Sequence, residues 1–394
     1  MGEAVITSAV RTPIGSMMGV YQQVSAVELG ALTLREAMAR SQIESGQVEQ
    51  IWMGNVLQAG AGQNPARQAG FMAAVPVHVP AATLNFVCGS GLMAVMLGAQ
   101  SIRADESSIV LAGGMENMSQ APYVLKQARG GYRIGDGQLI DSIMHDGLRC
   151  AIADVPMGVT AERLAERFAI GRDEQDAFAL SSQVKAAQAV AEQCFAEELV
   201  TVRYTDRKGS TVTVEQDEHP RAGMTLQILG KLKPSFEQGG TVTPGNASGI
   251  NDGAAAIVLS SEQRARELHL QPIARIRGYA HVGIEPEWMG LGPVPAIRKA
   301  LQRAGLRMQD VDLFELNEAF AVQTLAVMRE LDIDPAKINV HGGAIALGHP
   351  IGASGTRILV TLLHAMKQRN VRTGVAALCV GGGHGIAIVV EAMA

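Results

Sequence analysis

Val311-Asp-Leu-Phe-Glu-Leu316 reads as a strand, and it comes after a helical pattern from Ala296 to Ala304 that closes at Gly305-Leu306. The same order stands 263 positions earlier, where a helical pattern from Ala26 to Arg40 leads through a short linker to Val48-Glu-Gln-Ile-Trp-Met53. With that shift Arg40 falls on Arg303, Ile43 on Leu306, Val48 on Val311 and Ile51 on Phe314. The residues downstream strengthen the pairing. The first copy continues with a helix near Pro65–Met72, a strand Thr83–Val87, a helix opening at Gly89 and a strand Ser108–Ala112. The second continues with a helix Glu318–Leu331, a strand Lys337–His341, a helix opening near Pro350 and a strand Val375–Val380. Strands alternating with helices predict α/β halves with a parallel sheet covered on both faces, related by pseudo-symmetry.

Between the halves, residues 120–249 carry more charge and read as an inserted loop domain. It has helices over Thr160–Phe168 and Glu174–Ala191 and a hairpin Val200–Val214 turning at Lys208-Gly209. The strand Gly253–Ser260 is expected to return to the first sheet. The boundaries expected are therefore 1–119 plus 250–271, 120–249, and 272–394.

Composition narrows the function. Charged residues are 18% against about 25% in an average protein, which predicts surface buried between domains or subunits. The net charge of −5 excludes an electrostatic footprint for nucleic acid. An anionic ligand would need local cations or backbone N–H groups. The four cysteines, Cys88, Cys150, Cys194 and Cys379, have neither disulfide-framework nor zinc spacing, so no metal is expected. Gln68–Ile102 lacks Asp, Glu, Lys and Arg altogether, but Pro76, Pro80 and Gly89–Gly91 break it as a membrane span. The N-terminal residues do not read as a signal peptide, and a soluble cytoplasmic protein is expected.

Three turns carry chemistry. Thr83-Leu-Asn-Phe-Val-Cys88-Gly-Ser-Gly-Leu puts a thiol where a strand ends and a helix begins, a place that favours the thiolate. A buried structural cysteine is the alternative there. A second alternative is that Gly89-Ser-Gly-Leu-Met-Ala94 is a dinucleotide fingerprint, but Asp105 and Glu106 stand before the next strand instead of at its end. His349 lies in Gly342-Gly-Ala-Ile-Ala-Leu-Gly-His-Pro-Ile-Gly-Ala-Ser-Gly355, just before a helix start. Cys379 ends a strand and meets Val380-Gly-Gly-Gly-His384. Asn317 and Glu318 close the strand Val311–Leu316 at its carboxyl end, where open α/β sheets place ligand groups.

Taken together, Asn85-Phe-Val-Cys88-Gly-Ser-Gly-Leu, Asn317-Glu-Ala-Phe-Ala, the His349 stretch and Leu378-Cys379-Val-Gly-Gly-Gly resemble the thiolase family. Val10–Gly15, Gly113–Ser119 and Gly245–Gly253 resemble it too, so the likeness runs over essentially the whole chain. It is most similar to the short-chain, biosynthetic type. The resemblance implies a layered αβαβα fold and condensation of two acetyl-CoA to acetoacetyl-CoA, the thioesters being substrates and no cofactor being needed. It implies that Cys88 is the nucleophile and that His349 helps deprotonate it and later points Nε2 at the second thioester oxygen. Asn317 would hold a water at that hole, and Cys379 would take the C2 proton. The N–H groups of Cys88 and Gly381 would receive the tetrahedral intermediate. Arg221, Ser248, Leu232, Phe236, Ala319 and Phe320 would contact the nucleotide or pantetheine arm, with Met157 and Met289 at the acyl pocket. A homotetramer built as a dimer of dimers is implied through Tyr123–Asp141. Pro156, His341 and His384 depart from the family's usual His, Asn and Gln or Met. A degradative 3-ketoacyl-CoA thiolase of broader chain length is the alternative within the family.

Overall fold

The structure is a computed structural model and describes residues 2–393. Its main strands are β1 (Ala4–Arg11), β2 (Gln50–Gly54), β3 (Ala81–Leu84), β4 (Ile109–Asn117), β5 (Asn251–Ser261), β6 (Ala274–Gly283), β7 (Leu313–Leu316), β8 (Thr373–Val380) and β9 (His384–Ala392). Its main helices are α1 (Ala26–Ser41), α2 (Pro65–Met72), α3 (Ser90–Arg103), α4 (Met157–Phe168), α5 (Arg172–Ala191), α6 (Pro293–Ala304), α7 (Ala321–Leu331) and α8 (Ile351–Arg369).

The strands run in the order β7-β8-β9-β6-β1-β5-β4-β2-β3. The two halves join where β1 meets β6 through only two residue pairs, Val5–Arg275 and Ile6–Ala274. On either side of that pinch the sheet forms a separate layer. Between the layers lie α3 and α8, whose Leu92, Met96, Leu359 and Leu362 share one core with Leu259 of the first half and Ile388 of the second. Helices α1 and α2 cover the outer face of the first half, and α6 packs on the outer face of the second. The result is the expected αβαβα layering. Helix α8 is buried on every side along most of its length, as a central-layer helix must be, and its residues Ile351–Leu363 are buried without a break.

Glycines allow the central helices to come this close. A Cβ at Gly91 would stand 2.7 Å from Thr356 Oγ1, and one at Gly355 would stand 2.3 Å from the Leu92 nitrogen. These contacts also account for the Gly89–Ala94 pattern. Gly91 packs α3 on α8, so the dinucleotide reading loses its main support.

Three expectations need correction. The sheet is mixed, parallel only at β3–β2–β4 and β7–β8, because β8 and β9 are joined by the three-residue glycine turn at 381–383 and must run antiparallel. The strand expected at Thr83–Val87 ends at Leu84, and the chain turns before Cys88. The strand expected at Lys337–His341 is absent except for one bridge, Ile338 to Phe314. There Asn339 adopts φ +43° and its side-chain amide takes the place of a strand partner. It accepts from Leu316 N (2.8 Å) and donates to Leu316 O (2.9 Å).

The insert contains α4, α5 and the expected hairpin, Val202–Thr205 with Thr211–Val214, with Gly209 at φ +83° in the turn. It is tied to the core by Arg11, a fully buried guanidinium on β1. Its Nε meets Glu198 (2.5 Å) and its two terminal nitrogens meet Asp217 (2.6 and 2.9 Å). A buried cation of this kind is tolerated only because it is fully paired.

Candidate active site

Cys88 sits on an elbow that the local sequence enforces. Val87 adopts φ +44°, a left-handed conformation that is costly for a β-branched residue and is held by its neighbours. Asn85 Oδ1 accepts from Val87 N (3.0 Å), while Ser90 Oγ accepts from Phe86 N (2.8 Å) and donates to Val87 O (2.6 Å). The elbow carries Cys88 to the start of α3, as the sequence predicts. The expected thiolate does not follow. Burial pushes the Cys88 thiol up to about 11, against the partly offsetting N–H groups of Gly381 and Cys88 itself. At rest Cys88 is therefore a neutral thiol, and would need a base to act as a nucleophile.

His349 is held in one tautomer. Ser354 Oγ donates to Pro350 O (2.8 Å), so it must accept from His349 Nδ1–H (2.6 Å). That leaves the lone pair on Nε2, which lies 3.3 Å from Asn317 Nδ2. Burial, and then the Arg357 charge, push the imidazole down to about 3, so it stays neutral. Asn251, from the other half, accepts from His349 N (2.9 Å) and donates to Gly15 O (3.0 Å). Its side chain lies against Gly348, which has φ +105°, and a Cβ there would be 2.6 Å from Asn251 Cγ.

Cys379 is buried at the end of β8, and Gly381 opens the turn to β9. A Cβ on Gly381 would stand 3.2 Å from Val87 Cγ1, so the two turns touch. Burial raises the Cys379 thiol well above its ordinary range, and the neighbouring Cys88 raises it further. Two thiols this close cannot both ionise, and each is reactive only in turn.

A cavity of about 520 Å³ leads to this centre. Of the residues expected to contact substrate, Met157, Arg221, Ser248, Phe236 and Phe320 line it together with His349. Arg221 is exposed at its wall and Phe236 meets Phe320 edge-on at 6.2 Å. The others lie elsewhere. Leu232 packs beneath Gly245 and Ala319 is buried behind Phe320. Met289 is buried in one apolar cluster with Cys379 and Met157. His219, which has no motif around it to mark it in the sequence, lines the cavity and reaches Asn251 Nδ2 (3.3 Å).

Of the three departures, Pro156 caps the start of α4. His341 faces Phe195 edge-on at 5.9 Å, beside Glu198, and not the thiols. His384 does reach the centre, with its ring 5.1 Å from Phe86 and Nδ1 3.5 Å from Gly381 O. Among the described residues no group of three or more His, Cys, Asp or Glu is placed to hold a metal ion, and no helix is long and apolar enough to cross a membrane.

Comparison with known proteins agrees with this geometry. Residues 4–263 match the family model "Thiolase, N-terminal domain" and residues 270–392 match "Thiolase, C-terminal domain". The chain is 55% identical over 392 residues to an acetyl-CoA acetyltransferase of Escherichia coli (strain K12), covering 99% of each. It is 52% identical over 388 residues to one of Pseudomonas aeruginosa, covering 98% of this chain and 99% of that protein. The crystal structure of the Bacillus anthracis acetyl-CoA acetyltransferase superposes with a TM-score of 0.98 at 45% identity, over 100% of this chain and 99% of that one. With both halves matched and the cysteine, histidine and glycine turns brought together, the chain belongs to the thiolase family.

Proposed function

We propose that this chain is an acetyl-CoA C-acetyltransferase, which reversibly condenses two acetyl-CoA to acetoacetyl-CoA and CoA through an acetyl group on Cys88. The observation that carries the reading is the meeting of two thiols and a neutral imidazole beside a cavity walled by an exposed arginine. Carbon–carbon bond formation between thioesters needs one thiol to hold the acyl group and a second to act as base at carbon.

The steps balance with these groups alone. His349 Nε2 takes the Cys88 proton as the sulfur attacks the first acetyl-CoA. The tetrahedral oxyanion lies on the N–H groups of Cys88 and Gly381. Collapse expels the CoA thiolate, which takes the Cys379 proton and leaves as CoA. An acetyl thioester, an imidazolium and a Cys379 thiolate remain. That thiolate removes a C2 proton from the second acetyl-CoA, and the enolate oxygen accepts from His349 Nε2–H beside Asn317. The enolate carbon attacks acetyl-Cys88, and the released sulfur recovers its proton from the imidazolium.

A second reading, a degradative thiolase of broader chain length, has one observation in its favour. A second cavity of about 590 Å³, lined by Val87, Gly381 and Met157, also borders the two turns. A thiolysis series from C4 to C16 separates the readings. Acetoacetyl-CoA is expected to be cleaved with far higher kcat/KM than 3-ketohexadecanoyl-CoA, and equal turnover of the long substrate would favour the second.

We also propose a homotetramer, a dimer of dimers. The segment 123–141 exposes Tyr123 (63%), Ile134 (98%) and Leu139 (66%), and β3 lies at an open sheet edge. Light scattering is expected to give about four times the 41.5 kDa chain mass, and a stable monomer at micromolar concentration would refute the proposal. All four cysteines are free, and a reaction needing two of them reduced fits the cytoplasm.

A further inference from the structure

Glu116, at the end of β4, is fully buried. Its carboxylate accepts from Asn55 Nδ2 (2.7 Å), Val56 N (3.0 Å), Leu57 N (3.2 Å) and Gly352 N (2.9 Å). Burial pushes its carboxyl up to about 7, an effect that backbone N–H groups, and not a cation, only partly offset, so it is a carboxylate above that value. Gly352 belongs to the first turn of α8, where the helix dipole also favours an anion.

These four donors come from both halves and meet on the Glu116 carboxylate. Val56 and Leu57 come just after β2 in the first half, whereas Gly352 lies three residues after His349 in the second. Val56, Leu57 and Ile351 belong to the apolar cluster against which Cys88 packs. The halves approach here with almost no clearance. A Cβ on Gly54 would stand 2.6 Å from Gly352 O, one on Gly114 would stand 2.2 Å from the same oxygen, and one on Gly352 would stand 2.6 Å from Glu116 Oε2. The carboxylate thus lies in a tight seam between the Cys88 wall and the His349 turn.

We propose that Glu116 is a positioning residue for acyl transfer, a single carboxylate that holds the Cys88 wall and the His349 turn at one fixed spacing. The inference rests on the reading of Cys88 as nucleophile and His349 as its base. No neutral isostere can replace the carboxylate. The NH₂ of a glutamine would face an N–H donor, leaving at least one buried donor unpaired and the seam free to shift. Shortening to aspartate keeps the charge but withdraws it from one side.

The test compares wild type, Glu116→Gln and Glu116→Asp in acetylation of Cys88 by a brief acetyl-CoA pulse, in steady-state turnover, and in the pH midpoint of Cys88 alkylation by iodoacetamide. The titratable groups that act on this centre are Glu116 from β4, Cys379 from β8 and His349 from the turn before α8, with Asp252 of β5 acting on Glu116 in turn. Both variants are expected to lose about 10²-fold in kcat, the usual effect of a small misplacement, with KM little changed. Only Glu116→Gln should move the alkylation midpoint, and downward, because it alone removes an anion that raises the Cys88 thiol. A kcat for either variant equal to that of wild type would overturn the inference. So would losses that merely track the folded fraction measured by circular dichroism, or an unmoved midpoint in Glu116→Gln. If wild type itself fails to acetylate Cys88, the functional reading fails instead.

Discussion

Brief exposure to acetyl-CoA is expected to place one acetyl group on Cys88 and none on Cys379. Both thiols are held protonated, so selectivity must come from geometry and not from resting charge. The Cys88 sulfur faces the Gly381 N–H, a donor ready for the oxyanion, whereas Cys379 is sealed among apolar side chains including Met289 and Phe320. Cys88→Ala should lose both labelling and turnover. Cys379→Ala should still accept the acetyl group yet fail to condense it, because the base that forms the enolate is gone while the nucleophile remains. Intact-protein mass spectrometry with peptide mapping reads both variants. Condensation surviving in Cys379→Ala, or label on Cys379 in the native enzyme, would overturn these roles while leaving the family assignment in place.

Loss of His349 should slow both half-reactions by about 10²–10⁴-fold each, the usual worth of a positioned general base. The pH dependence carries a sharper signature. With the imidazole held down at about 3 and the Cys88 thiol up at about 11, the neutral pair persists between those values. Below the lower value the imidazole is protonated and cannot accept the proton. Above the upper value the thiolate forms without it. Acetylation of Cys88 in stopped-flow is therefore expected to stay level above about pH 8 and below the Cys88 value, and to fall below about pH 7, where Glu116 takes up its proton. That limb should vanish in Glu116→Gln, and one persisting there near 6.5, the ordinary imidazole value, would show that His349 is not shielded as described. Ser354→Ala should slow acetylation while leaving the profile unchanged in shape, because it frees the ring to take the other tautomer without exposing it to solvent.

The repeat of helix, linker and strand was legible because an α/β unit writes its burial into local periodicity. Both copies form at nearly the expected places, Gln50–Gly54 and Leu313–Leu316. The elements that failed are those whose partner is remote. Lys337–His341 has strand-like residues, but its side of the sheet is completed by the Asn339 amide, an outcome that depends on Leu316 and Glu318 lying opposite. Strand direction failed for a similar reason, since the Gly381–Gly383 turn and remote pairings such as β1 with β5 and β1 with β6 decide which strands run antiparallel.

The same division holds at the centre. Cys88, His349 and Cys379 each sit where a strand ends or a helix begins, and glycines beside them mark tight turns, so all three stand out as chemical candidates before any fold is known. Their environment does not. Helix position suggested a thiolate at Cys88, but burial between two halves outweighs a helix terminus and keeps the thiol neutral. Asn251, Ser354 and Glu116 lie in stretches that resemble the family, but nothing in those stretches says what each side chain bonds. They matter only because folding brings 116 and 251 of one half against 349–354 of the other. Layers, turns and reactive atoms are written in the chain itself, because they follow from local periodicity and residue chemistry. Proton affinities and spacing arise only in the assembled fold, because they depend on desolvation and on hydrogen bonds between remote segments, such as Glu116 and Gly352 with |i−j| of 236, and even the tautomer, set by Ser354 five residues from His349, needs the turn before α8 in place.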